Sequence, residues 1–281
     1  MLITKKRWFL YVFRDGHIHT SFCPHGSKDK LNEYIERAIQ HGFTDITFTE
    51  HAPLPKNFKD PAPEQDSSMK WSDLDHYLKE VESAKKQYET TIRIRTGLEV
   101  DFIEGYENET TDLLNEYGPY LDDSILSVHF LRHADSYYCV DFSEDEFGNI
   151  VRKVGSVEAV YKLYYDTLLQ SVEANLGSYK PGRIGHITLV HKFQQMYPCN
   201  ASFNDGITMI LQAVKKRGYS LDYNGAGAVK PLCLETYPPE NIARTAHLLG
   251  IPLVYGSDAH AAAGIGQGLD KINRIIIEGS V

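Results

Sequence analysis

The sequence predicts an α/β barrel of parallel strands joined by helices, on three observations. Strand-like runs rich in branched and aromatic residues alternate with stretches of helical apolar spacing along its 281 residues. Seven strands can be counted rather than eight, so the barrel departs from the eightfold form. The strand-like runs also keep ending in a histidine or a carboxylate, at the end where parallel α/β folds place their sites.

Taken in order, residues 8–14 read as the first strand, delivering Asp15-Gly16-His17-Ile18-His19 and, after a turn through Pro24, His25. Side chains alternate faces on an extended strand, so His17 and His19 point the same way and can share a cation. Leu31, Tyr34, Ile35, Ala38 and Ile39 mark a helix capped by Ser27 or Asp29 and stopped at Gly42, with His41 at its C-terminal end. Residues 45–49 form the second strand, ending in Glu50-His51. Residues 52–68 lack apolar periodicity and read as a long loop over the strand ends, with Met69 and Trp71 lining a pocket or packing in the core.

A helix through Leu74, Tyr77, Leu78 and Val81 precedes the third strand, residues 92–100, whose end places Glu99 and Asp101 on one face. The fourth strand, residues 124–128, ends in His129, and residues 134–155 read as another long loop. A helix over residues 156–175 leads to a short fifth strand, Arg183 to Ile187, carrying His186, with His191 just beyond as a competing candidate. A helix ending at Gly218 precedes the sixth strand, residues 220–224, and residues 232–235 are a possible extension of the sheet. The seventh strand, residues 252–255, ends in Gly256-Ser257-Asp258-Ala259-His260, while His76, His133 and His247 read as surface residues.

Composition narrows the classes. With 42% hydrophobic and 24% charged residues the chain is an ordinary globular one, expected to form one domain over residues 1–281. Its longest apolar runs are far too short to span a bilayer, and the Lys5-Lys6-Arg7 start lacks a following signal-type segment, so a cytoplasmic, membrane-free protein is expected. A net charge of -9 argues against a nucleic-acid partner, which needs a basic surface. Metal cations can still reverse the potential of a pocket for a small anionic substrate. The four cysteines have no Cys-x-x-Cys spacing and read as reduced, with packing favoured over ligation for Cys23.

Imidazoles with carboxylates suit zinc, iron or manganese, whereas calcium and magnesium prefer oxygen. The histidines with Glu99 and Asp258 exceed the needs of one ion and can serve two or three sharing a carboxylate, for which Glu99 is the natural bridge. Arg183 offers either a fork to phosphate or a salt bridge at a strand start. Asp101 is either a hydrogen-bond partner for a ligand histidine or an exposed carboxylate.

The set Asp15-Gly-His17-x-His19 with His25, Thr49-Glu50-His51, Gly97-x-Glu99, His129, Gly185-His186 and Gly256-Ser-Asp258-Ala-His260 resembles the PHP (polymerase and histidinol phosphatase) family over nearly the whole chain. His51-Ala-Pro-Leu-Pro, Tyr138-Cys-Val-Asp-Phe and Gly185-His-Ile-Thr-Leu-Val resemble its histidinol-phosphatase branch. The resemblance implies a distorted (β/α)7 TIM-like barrel with three divalent ions. One would be held by His17, His19, Glu99 and Asp258, a second by Glu99, His129 and His186, and a third by His25, His51 and His260. It further implies hydrolysis of a small phosphate monoester, L-histidinol phosphate, by a metal-activated hydroxide, with Asp258, His260 and His51 as catalytic residues. Another phosphomonoester or a nucleotide is the alternative substrate. Glu50 stands where many family members have Asp. An amidohydrolase also begins with His-x-His, but often carries a lysine on strand four, where this chain has His129.

Overall fold

The computed structural model describes residues 13–277. Seven parallel strands form one sheet in the order β1 (Arg14–Ile18), β2 (Asp45–His51), β3 (Arg93–Asp101), β4 (Ile125–Ser127), β7 (Arg183–Ile184), β8 (Ser220–Asn224) and β9 (Leu253–Gly256). β5 (Phe130–His133) and β6 (Ser136–Cys139) make a separate antiparallel hairpin. The first and last strands of the sheet meet through Ile18 and Ala259, with Asp258 N donating to His17 O at 2.7 Å and His19 N to Ala259 O at 3.0 Å. The sheet is therefore nearly closed into a barrel.

Among the described residues, eight helices connect these strands: α1 (Leu31–Gln40), α2 (Leu74–Tyr88), α3 (Glu107–Tyr117), α4 (Glu144–Val154), α5 (Val157–Glu173), α6 (Asn204–Arg217), α7 (Ala226–Val229) and α8 (Glu240–Leu248). Each longer helix buries an apolar stripe, as Leu31, Tyr34, Ile35 and Ala38 do in α1. Ser156 caps α5 by accepting from Ala159 N at 3.1 Å, and Gly218 ends α6 at φ +69°, the left-handed turn that a glycine adopts without strain. None of the described helices is long and apolar enough to cross a membrane.

The boundaries depart from expectation at several places. Most of the strand placed at residues 8–14 lies outside the described residues; β1 starts at Arg14 and carries His17 within it. Lys30, not Ser27 or Asp29, precedes α1, because Asp29 instead accepts from Ala262 N at 2.9 Å. Residues 134–155 are no loop. They hold β6 and α4, whose start Ser143 caps through Glu146 N (3.2 Å) and whose buried Phe147 and Ile150 bring it onto the core. Residues 232–235 form a turn rather than a strand.

The barrel's two ends differ in chemistry. At the strand starts, Arg14, Asp45, Arg95, Asp123 and Arg183 form an ionic layer, with Arg95 forked onto Asp45 at 2.9 Å and Arg183 on Asp123 at 2.5 Å. Gly16 lets Arg183 cross the interior, since a Cβ there would stand 2.3 Å from Arg183 Nη1. His17, His19, His51, His129, His186 and His260 occupy the opposite end.

Candidate metal centre

Register brings the histidines together. β2 and β3 pair with His51 beside Glu99, and β3 and β4 pair with Asp101 beside Ser127, so the strand ends present these groups side by side. Glu99, 1% exposed, is the hub. Its Oε2 lies 3.3 Å from His17 Nε2, 3.4 Å from His19 Nε2 and 3.2 Å from His51 Nδ1. Its Oε1 lies 2.9 Å from His186 Nε2 and 3.7 Å from His129 Nε2, and accepts from Ser127 Oγ at 2.6 Å. Asp258 Oδ1 adds 3.2 Å to His19 and 3.8 Å to His17.

Three of these rings have their outward nitrogens engaged by carboxylates, whereas His186 Nδ1 is buried without a hydrogen-bond partner. His17 Nδ1 faces Asp222 Oδ2 at 2.8 Å, His19 Nδ1 faces Glu50 Oε1 at 3.3 Å, and His129 Nδ1 faces Asp101 Oδ1 at 2.7 Å. In a neutral ring the proton sits on the nitrogen that meets the carboxylate, which leaves a lone pair on Nε2. The Nε2 atoms of His17 and His19 are 3.2 Å apart, as are those of His129 and His186. For His17 and His19, whose Nδ1 atoms both meet carboxylates, two lone pairs then face each other over Glu99 and repel unless a cation or a proton lies between them, which is the donor set of a metal site.

Among the described residues, ligand-capable atoms gather in three groups, His17–His19–Glu99, Glu99–His129–His186 and His19–Cys23–His51–His260. His25 stands beside the third, its ring centroid 5.0 Å from that of His260 and 5.4 Å from that of His51, with Nδ1 on Asp66 O at 3.0 Å. Cys23 is fully buried, and burial pushes its thiol well up. Asp258 sits at φ +53°, rare for a residue with a side chain, held by Asn224 Nδ2 on Oδ2 (3.2 Å).

The electrostatics follow from burial and proximity. Burial alone would raise the Glu99 and Asp258 carboxyls, but the imidazoles around them hold both well below the usual range. Burial would lower His19 and His129, yet their carboxylate neighbours, Asp258 and Glu50 for one and Asp101 and Glu99 for the other, raise them to about 9 and about 10. His260 is lowered to about 3 by burial and by His19.

A cavity of about 700 Å³ opens over this floor, lined among others by Asp141, Phe142, Lys192, Lys230, Tyr237 and Gln267. Lys192 Nζ donates to Asp141 Oδ2 at 2.9 Å, and Lys230 is lowered by burial and by Lys192 nearby. Arg183 does not line it. Its guanidinium lies at the far end of the barrel, where Nη2 donates to Asp123 Oδ2, so the salt-bridge alternative is the one realised and the phosphate role is corrected. Met69 lies in the core and Trp71 donates to Leu54 O at 2.8 Å; neither lines the cavity. His191 joins none of the three ligand groups among the described residues.

Sequence reasoning missed Asp222, Lys192, Lys230 and Asp141. Asp141 stands in the quoted segment Tyr138-Cys-Val-Asp-Phe without having been assigned a role, and Asp222 left a signal as a carboxylate inside the strand run Ser220-Leu-Asp-Tyr-Asn224, where a buried charge needs a partner. The lysines sit in turns without periodicity.

Comparison with known proteins gives the family. The chain matches the PHP domain over residues 15–226. It is 49% identical over 255 residues to the histidinol-phosphatase of Bacillus subtilis (strain 168), covering 90% of this chain and 95% of that one. A candidate histidinol phosphatase from Listeria monocytogenes superposes with a TM-score of 0.88 at 43% identity, covering 92% of this chain and 98% of that one. The fold is also that of a Lactococcus lactis histidinol phosphate phosphatase solved with zinc, L-histidinol and phosphate (TM-score 0.71, 21% identity, 95% of each chain).

Proposed function

The chain belongs to the PHP domain family, and from that premise we propose that it is a metal-dependent phosphomonoesterase that hydrolyses L-histidinol phosphate to L-histidinol and phosphate. The observation that carries the metal dependence is Glu99, whose two oxygens lie within 3.7 Å of five imidazoles. His17, His19, Glu99 and Asp258 would hold one ion, Glu99, His129 and His186 a second, and His25, His51 and His260 a third, with zinc, iron or manganese suited to these donors. When bound, such ions supply Lewis acidity toward water and toward the phosphoryl oxygens.

The protein's own groups do the rest. Lys192 and Lys230 face the cavity from the turns after β7 and β8 and meet the non-transferred oxygens of the phosphoryl group. Asp141 aims Lys192. Asp258, kept ionised by His17, His19 and His260 and fixed by Asn224, accepts a proton from the attacking water. Phe142 and Phe130 give the leaving group an apolar wall.

The test is phosphate release from L-histidinol phosphate by purified protein, before and after chelation and with each metal restored. Turnover that disappears on chelation and returns with zinc, iron or manganese is the expected result. No release with any of them, beside release from a nucleotide or another phosphomonoester, overturns the substrate.

A further inference from the structure

His191 lies outside the imidazole clusters, and both its nitrogens are occupied. Nδ1 meets Glu235 Oε1 at 2.5 Å and Nε2 meets Tyr165 Oη at 2.9 Å. The ring also stacks on Tyr161, centroids 5.2 Å apart and planes 20° from parallel. Tyr161 and Tyr165 belong to α5, His191 to the 3-10 turn Leu189–Phe193 after β7, and Glu235 to the turn beyond α7. One imidazole thus ties three elements together.

Both tied turns carry a lysine that lines the cavity. Lys192 follows His191 directly, and side chains adjacent on a 3-10 turn diverge by about 120°. Holding His191 against α5 therefore directs Lys192 the other way, toward the cavity. Lys230 opens the turn that Glu235 closes, a turn kept tight by Cys233 N and Leu234 N, both donating to Lys230 O at 3.1 Å, and by Leu234 at φ +64°. Two further bonds cross between the turns, Gln194 Nε2 to Cys233 O at 2.8 Å and Gln195 N to Leu232 O at 3.0 Å. Two ammonium groups on one wall repel each other, so their separation must be imposed by the backbone beneath them.

We propose that Glu235, His191 and Tyr165 form a positioning clamp that sets the spacing of Lys192 and Lys230 to fit one phosphoryl group. The clamp acts on affinity for the phosphate moiety and leaves the chemical step to the metal floor. It rests on the reading above of the two lysines as phosphate contacts.

The experiment uses the full-length, metal-loaded protein. Inorganic phosphate affinity is measured by calorimetry, and KM and kcat are measured with L-histidinol phosphate, for wild type, Glu235→Gln, Lys192→Ala/Lys230→Ala and the triple variant. Glu235→Gln is expected to weaken phosphate binding and raise KM by about five- to tenfold, with a smaller fall in kcat; in the lysine-free background the same change should add less than about twofold. Tyr165→Phe, which removes one hydroxyl, should shift the same quantities by about two- to threefold and carries the test if Glu235→Gln fails to fold. Unchanged phosphate affinity in the clamp variants, or an equal loss with and without the lysines, overturns the clamp. Unchanged affinity in Lys192→Ala/Lys230→Ala instead overturns the lysine reading itself, so the two failures are distinguishable.

Discussion

His17 and Asp222 are 205 positions apart in the chain, yet Nδ1 of the one meets Oδ2 of the other at 2.8 Å inside the barrel. Both are fully buried, and Asp222 also takes Asn224 Nδ2 at 3.1 Å. The contact fixes which nitrogen of His17 carries the proton and turns Nε2 toward Glu99.

Asp222→Asn keeps the shape but weakens that control, since an amide can present either its oxygen or its NH2 to the ring. Metal retention is expected to fall by about 10- to 100-fold, the range for partners of ligating histidines. Elemental analysis after dialysis against graded chelator reads it. Retention equal to wild type would show that Asp222 does not orient a ligand.

Glu99→Gln removes the charge that faces His17, His19, His51, His129 and His186. Turnover should fall by about a thousandfold or more, and bound metal by at least one equivalent, because a neutral amide cannot bridge cations. A variant that keeps both its metal content and its turnover would refute the bridging role.

Chelated protein should lose thermal stability as pH rises. The ordinary histidine value is 6.5, whereas buried His19 and His129 stand at about 9 and about 10 without metal, because their carboxylate neighbours outweigh burial. Groups raised in the folded state contribute stability that is complete below pH 6.5 and lost as pH climbs through the folded values. Tm of the chelated protein is therefore expected to decline between pH 7 and pH 10, and metal uptake in that window should release protons. A flat or rising Tm over the same range would contradict the assignment.

Arg183→Met tests the ionic layer against the cavity. Arg183 is 1% exposed and engages Asp123 at 2.5 Å, so its removal should destabilise the fold by about 3 kcal/mol in urea titration while KM changes less than about twofold. A KM rise like that of the lysine variants, with stability retained, would return Arg183 to substrate binding.

Much of the site was legible because its signals are local. A strand run followed at once by His17-x-His19, Glu50-His51, Glu99, His129, His186 or Asp258-x-His260 states in one dimension that these groups reach one end of a parallel sheet. The alternation of periods that defines the barrel is equally local. The region of α4 was readable too, through Ser143 at its start, the Phe147, Ile150, Val151 and Val154 spacing, and Gly155 at its end, but short apolar content made it pass for loop.

The sequence by itself determined the parallel α/β architecture and the donors available to metal, since periodicity and residue type are properties of short segments. Tertiary structure alone decided the pairings: Asp222 with His17, Glu235 with His191, Asp123 with Arg183, and the convergence of Lys192 and Lys230 on one wall. Each joins residues from separate strands or turns, and which partner a buried charge meets depends on barrel closure and register rather than on its neighbours in the chain. Arg183 shows the reason most plainly. Three residues before His186, its position near the site in sequence is reversed in space, because it stands at the start of β7 and its side chain fills the end of the barrel away from the metals.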